Sequence, residues 1–291
     1  MEQTPFRRFL SDYCESKLAV AGFVLLMVIL FIALFAPLIS PQDPYDLRQL
    51  DVMDARLEPG AKLGNGKTAL LGTDDQGRDM LSGIFYGMRI SLFVGITSTL
   101  LALLIGATVG MIAAWLGGRT DNILMRIADI QLSFPPILIA LILLALLGQG
   151  LGKIITALVT VQWAYYARTI RGAALVERRR EYIEAAQVLA LPASRIVFRH
   201  LLPNCLPPLI VVATVQVASA ITLEATLSFL GLGLPITEPS LGLLIANGFN
   251  YLMSGKYWIS MYPGVALVLM VIAINLVADQ LRDVLNPRLQ K

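Results

Sequence analysis

Residues 168–203 read RTIRGAALVERRREYIEAAQVLALPASRIVFRHLLP, an arginine-rich polar segment between two hydrophobic runs long enough to cross a bilayer. Glu184-Ala185-Ala186, followed by Pro192 and Pro203, predicts two short helices joined by a bend, because proline is tolerated in a helix's first turn and disrupts its interior. The first helix carries Tyr182, Ile183, Ala185, Ala186 and Leu189, and the second Ile196, Val197, Phe198 and Leu201. Arg178, Arg179 and Arg180 alone would suit anionic lipid headgroups. Two apolar-faced helices beside them suit a protein partner better, and the small residues allow close docking in its groove.

Outward from this segment the chain is membrane. Hydrophobic residues make up 56% of its 291 positions, charged residues 15%, and mean hydropathy is +0.71, which leaves too little polar surface for a soluble domain. Runs 18–39, 90–115, 127–147, 154–169, 206–230 and 258–277 each approach the roughly 20 apolar residues that a bilayer core requires. The expectation is an all-α polytopic protein with six transmembrane helices. The fourth run carries Gln162, Trp163, Tyr165 and Tyr166, so it should face other helices or a water-filled path more than lipid. Phe134-Pro135-Pro136 predicts a kink in the third run, and Leu206-Pro207-Pro208 an ordinary helix start for the fifth. Gly83 and Gly87, then Gly106 and Gly110, have the spacing that lets helices approach closely.

The arginines orient the spans. Arg7, Arg8 and Lys17 precede the first, Arg119 follows the second, Arg168 to Arg199 follow the fourth, and Arg282, Arg288 and Lys291 follow the sixth, so both termini are expected in the cytoplasm. The long loop of the opposite side balances its Lys and Arg with eight acidic residues, and its Gly, Pro and Asp content predicts a structured extracytoplasmic cap. Residues 1–85 then form an N-terminal tail, first span and cap, and 86–291 a five-helix core containing the polar segment 168–203. Residues 231–256 are too polar to cross and should be re-entrant or lie on the outer surface. Phe6-Arg7-Arg8-Phe9-Leu10 has the flavour of a twin-arginine signal, but the apolar run behind it is too long, which reads as an uncleaved anchor. The net charge of +3 follows the topology, with no basic stripe of the kind nucleic acid requires. Cys14 and Cys205 are expected on the reducing side and make neither a disulfide nor a metal site.

An enzyme would need a nucleophile, base or metal. The single histidine, His200, lies beside Arg199 with no carboxylate at helical spacing to orient it, which favours a surface or docking role. Gly66-Lys67-Thr68 resembles the end of a phosphate-binding loop, yet Ala61 stands where that motif needs glycine and no strand precedes it. Energy must therefore come from a partner or an ion gradient. Ionisable residues at membrane depth are the candidate functional groups. Arg126 and Asp129 share a helix face as an ion pair or a gate; Glu224 either lines a path or makes a buried interhelical hydrogen bond; Asn275 and Asp279 are expected to bond to neighbouring helices. With Glu224 as a titrating group, an ion-coupled secondary carrier is the alternative to a partner-driven pore.

The polar segment resembles the cytoplasmic coupling loop of binding-protein-dependent ABC importer permeases, in which Glu-Ala-Ala is followed three residues later by glycine and then by Leu-Pro. The match is Glu184-Ala185-Ala186 with Leu202-Pro203, but Ala190 holds the glycine position. A left-handed alanine would cost about 1 to 2 kcal/mol, so the bend is expected to shift toward Leu191-Pro192. Leu71-Gly72-Thr73-Asp74, Gly77-Arg78-Asp79, Arg89-Ile90-Ser91-Leu92, Glu224 with Leu227 to Gly233, and Asp279 with Leu281 to Pro287 are similar to the dipeptide, oligopeptide and nickel permeases, specifically the C-type subunit. That resemblance implies a type I importer permease in a bacterial inner membrane, paired with a second, different permease. It also implies two cytoplasmic ATPases that bind the ATP and Mg, and an extracytoplasmic solute-binding protein. Carried onto this chain, it makes Tyr182, Glu184, Ala185, Ala186, Leu189, Ala190, Arg195 and Pro203 the ATPase-coupling residues, with Glu224, Asp129 and Gln162 as path or gate. It leaves the solute open among dipeptides, longer peptides, glutathione, opines, nickel complexes and sugars.

Overall fold

A computed structural model describes residues 11–285. Phe6, Arg7, Arg8, Asn286, Pro287, Arg288 and Lys291, used above for topology and resemblance, lie outside the described residues. Nine helices dominate: α1 Lys17–Ile39, α2 Met80–Leu116, α3 Gly118–Ser133, α4 Pro136–Leu147, α5 Leu151–Glu177, α6 Glu181–Val188, α7 Ala193–Phe229, α8 Leu241–Phe249 and α9 Trp258–Leu285. Among the described residues α1, α2, α7 and α9 are each long and apolar enough to span a membrane, and the α3 and α4 pair passes the same test as a broken fifth. The sixth crossing is α5, whose polar residues exclude it from that test although its 27 residues reach about 40 Å at 1.5 Å per residue.

Helix α5 sits at the centre because α2 lets it in. A Cβ on Gly106 would lie 2.3 Å from the Trp163 carbonyl oxygen, and one on Gly110 2.2 Å from that of Ala167. Hydrogen atoms at those two positions bring the α2 and α5 backbones into contact, the use that small residues have between membrane helices. The expectation that the fourth run faces other helices is met: Ala157, Val161, Gln162, Ala164, Tyr166 and Ala167 are buried.

Three local expectations need correction. The third run, 127–147, is two helices meeting at 91°, not one kinked span. Phe134, held extended by the proline after it (φ −97°, ψ 145°), ends α3, and α4 restarts at Pro136. Pro207 and Pro208 do not open the fifth helix, because α7 already runs from Ala193 through a wider turn at Ile196–Leu201. There the Leu202 N–H bonds to the Val197 carbonyl five residues back, and the Asn204 side chain donates to the His200 carbonyl at 2.7 Å. The bend after α6 stays at Ala190, whose φ is 51°.

The long polar loop after α1 is an ordered cap. Strands β1 Ala61–Lys62 and β2 Thr68–Ala69 pair antiparallel, and Lys67 donates to the Pro41 carbonyl at 2.7 Å, so the stretch resembling a phosphate loop is a hairpin tip. Residues 231–256 contribute α8, nine residues long, with Leu241, Gly242, Leu243, Leu244 and Gly248 buried against α7 and α9. It is an inserted helix, not a surface one, and at about 14 Å it is too short to cross.

Candidate coupling elbow, membrane cavity and cap

The polar segment folds into an elbow with a closed inner face and an open outer one. Ile183 and Ala186 of α6 are buried with Ile196, Leu201 and Cys205 beneath them. Seven of the eight expected coupling residues, Tyr182, Glu184, Ala185, Leu189, Ala190, Arg195 and Pro203, are exposed; only Ala186 points inward. Val188 is 86% exposed, Leu189 73% and Phe198 70%, an apolar surface on the elbow. Val188 was not among the expected residues, although a helix with one buried face and apolar residues on the other would have marked it; Phe198 was expected on the apolar face of the second helix but not among the coupling residues.

The turn is fixed by hydrogen bonds. The Leu191 N–H reaches the Ala186 carbonyl at 3.2 Å and the Ala190 N–H that of Gln187 at 2.9 Å. This is the two-bond closure that ends helices at a left-handed residue, with Leu191 packed back on the same cluster as Ala186. The elbow is also tied to the bundle. Arg178 donates to the Ala114 and Trp115 carbonyls at the end of α2 and stacks 5.4 Å over the Trp115 ring. Tyr182 donates to Glu177 at 2.7 Å and accepts from Asn204 at 3.1 Å, joining α5, α6 and α7. Burial, then the bond to Glu177, pushes the Tyr182 phenol up to about 12, so it stays protonated and donating.

Within the membrane the acidic residues separate. Asp129 does not pair with Arg126: it reaches across to Arg168 on α5 at 3.5 Å, with both side chains more than half exposed, while Asp121 makes a two-pronged contact with Arg171. Asp129 and Arg126 line an open hollow on one face of α3. Glu224 is fully buried and lines neither this hollow nor the cavity around Gln162. It accepts from Ser91 of α2 at 2.9 Å and Ser228 of α7 at 2.8 Å. Ser240, which caps the N-terminus of α8, bonds to the same carboxyl. Of the two readings of Glu224, the buried hydrogen bond is the one observed. Gln162 does line a cavity, of about 470 Å³, between α4, α5, α7 and α9. Asn275 lines it too, and Asp279 is exposed; among the described residues neither makes the expected bond to a neighbouring helix.

The cap is clamped to the bundle by Gly72, Asp74 and Arg78, expected as turn formers and as carriers of the resemblance, and by Gln42 and Trp258, which the sequence did not single out. Gly72 (φ 78°) allows Trp258 to close over it and donate its indole N–H to the Thr73 carbonyl at 3.3 Å. Asp74 accepts from the backbone of Gln76 and Arg78, and Arg78 reaches the Ile236 carbonyl at 3.0 Å. Gln42 bridges the Gln49 carbonyl and the Asp79 N–H. Burial pushes the Asp74 carboxyl up to about 6 against these bonds.

A polytopic helical bundle with an exposed elbow, a cavity among its helices lined by uncharged side chains and an ordered loop cap is the architecture of a transport permease. The chain belongs to the family described as binding-protein-dependent transport system inner membrane component, which residues 106–291 match. Residues 4–59 match the N-terminal TM domain of oligopeptide transport permease C. The chain is 41% identical over 289 residues to the dipeptide transport system permease protein DppC of Escherichia coli K12, covering 99% of this chain and 95% of that protein. It is 37% identical over 288 residues to the di/tripeptide transport system permease protein DppC of Pseudomonas aeruginosa, covering 99% and 93%. To the oligopeptide transport system permease protein OppC of Bacillus subtilis it is 37% identical over 277 residues, covering 95% and 88%. Its fold is similar to that of an inward-facing MetNI methionine ABC transporter, with a TM-score of 0.58 and 21% identity over 71% of this chain and 98% of that one. The chain is thus a permease subunit of an ABC importer. The ion-coupled carrier falls with that membership, and Glu224, sealed among hydroxyls, offers it no titrating group on the cavity.

Proposed function

We propose that this chain forms one half of the solute path of an ATP-driven peptide importer in a bacterial inner membrane, with both termini cytoplasmic. Its partners are a second, different permease, two cytoplasmic ATPases that bind ATP and Mg, and an extracytoplasmic solute-binding protein that docks on the cap side. Residues 1–85 add a first span and cap to a core of 86–291 that contains the coupling loop 168–203. The peptide class is supported by the similarity to DppC and OppC proteins.

The observation that carries the reading is the elbow. Its inner face is packed and hydrogen-bonded, while Glu184, Val188, Leu189 and Phe198 stand exposed on a rigid turn. A rigid body with an uncovered apolar face can pass on a partner's motion, whereas a mobile loop would dissipate it. Glu184→Lys reverses the charge of that face without touching the packed side. The variant is expected to insert at wild-type levels, to lose co-purifying ATPases, and to abolish uptake. Normal co-purification together with normal uptake would refute the assignment.

A further inference from the structure

The mid-membrane cavity has a chemical bias that the family assignment does not supply. Gln162 is 3% exposed, its Nε2 donates to the Gln216 carbonyl at 3.1 Å, and its Oε1 has no partner among the described residues. A buried carbonyl oxygen left without a donor costs free energy unless something fills the place. The walls repeat this bias. Thr222 spends its hydroxyl hydrogen on the Ala218 carbonyl and Thr226 on that of Thr222, so both threonine oxygens offer the cavity lone pairs only. Asn275 of α9 and Tyr165, Gln216 and Ser219 add groups that both accept and donate, so the acceptor bias is that of Gln162, Thr222 and Thr226. None of the side chains lining the space is charged, and the nearest membrane carboxylate on α7, Glu224, is occupied by serines away from it. At about 470 Å³ the space has the size of a small-molecule site.

We infer that this cavity is a solute-contacting station of the path, and that it recognises backbone N–H donors of a short peptide through acceptor oxygens on Gln162, Thr222 and Thr226, without reading side-chain charge. The inference rests on the permease reading above and adds the chemistry of the contact. An anionic lining would trap cationic solutes and repel anionic ones. Neutral acceptors hold what all peptides share, and hold it weakly enough to release it.

The test uses the complete transporter in proteoliposomes with its binding protein. The probes are Ala-Ala and L-alanyl-L-lactate, its ester counterpart with oxygen in place of the amide N–H. Because the binding protein is constant, any change in the amide-to-ester uptake ratio between permease variants belongs to the permease. Gln162→Met is expected to lower Ala-Ala uptake about fivefold while changing ester uptake less than twofold, as the loss of one neutral hydrogen bond predicts. ATPase stimulation by the loaded binding protein should persist in that variant. Gln162→Glu restores an acceptor oxygen and adds charge, so it should recover the amide preference and favour Lys-Lys over Asp-Asp. Equal loss of both probes, no loss of either, or loss of ATPase stimulation in Gln162→Met would overturn the inference. Absence of ATPase stimulation in the wild type would instead overturn the importer reading.

Discussion

Replacing Ala190 with glycine should stiffen the elbow. Ala190 holds φ at 51°, a conformation that costs an L-residue about 1 to 2 kcal/mol and glycine almost nothing. Glycine gives back part of that gain, about 0.4 to 1 kcal/mol, because it loses more freedom when the turn forms. No atom is lost from packing, since the Ala190 side chain is exposed and the neighbouring bonds are backbone. The net is about 0.7 kcal/mol in favour of the closed turn, or roughly a threefold fall in its open population. Amide hydrogen exchange at Leu191, whose N–H is held by the Ala186 carbonyl, reads that population directly. Exchange should slow about threefold in Ala190→Gly and quicken in Ala190→Val, where a branched side chain meets the same backbone. Unchanged or faster exchange in the glycine variant would mean that the chain bends elsewhere and that the left-handed turn is not the hinge of the elbow.

Asn204→Ala removes the donor to both Tyr182 and the His200 carbonyl, and should lower peptide uptake several-fold at unchanged ATPase co-purification; unaltered uptake would count against the tie. Gly110→Val places a branched side chain where a Cβ alone would sit 2.2 Å from the Ala167 carbonyl oxygen, and should prevent recovery of a folded protein by size-exclusion chromatography. Glu224→Leu leaves the Ser91 and Ser228 hydroxyls without their acceptor and should cost about 1 to 3 kcal/mol, seen as a lower Tm in detergent. Asp74, with its pKa raised from 3.8 to about 6, contributes stability that is fully present below pH 3.8 and lost as pH rises through 6, about 3 kcal/mol in all. The wild-type Tm should therefore fall between about pH 4 and pH 6, and that of Asp74→Asn should not.

What could be read from the sequence was whatever hydropathy and local chemistry encode. Uninterrupted apolar runs located α1, α2, α7 and α9 to within a few turns, and Glu184-Ala185-Ala186 located the elbow. The misreadings lie where one residue's role depends on a partner far along the chain. Proline at 135 announces a break but not its 91° angle, which the packing of α4 on α5 sets. Pro207 and Pro208 looked like a helix start because the compensating wide turn upstream has no signature of its own. Asp129 found Arg168 rather than Arg126, and Glu224 found Ser91 across 133 residues, neither of which periodicity can pair. Alanine at 190 read as a reason to move the bend; the structure keeps it in place because two backbone bonds and the Leu191 contact outweigh a strain of about 1 to 2 kcal/mol.

Two of the four helices that wall the cavity, α5 and α7, also carry the elbow, which bears on how a distant motion could reach the solute. Helix α5 runs unbroken from Gln162 to Glu177, about 22 Å, and α7 connects Asn204 to Gln216 over about 18 Å. They are tied at the elbow end through Glu177, Tyr182 and Asn204, and further along by the Gln162 amide on the Gln216 carbonyl. Two ties on two stiff rods transmit rotation: turning the elbow by about 5° moves the cavity wall by roughly 2 Å, enough to break or make a hydrogen bond to a solute. The prolines of α7 lie on the elbow side of Gln216, at 203, 207 and 208, so whatever bending they permit is confined to the part nearest the elbow. The cap, clamped through Arg78 and Trp258 to the segment around α8 and to α9, stands on the opposite end of the bundle as the part that the rods move against.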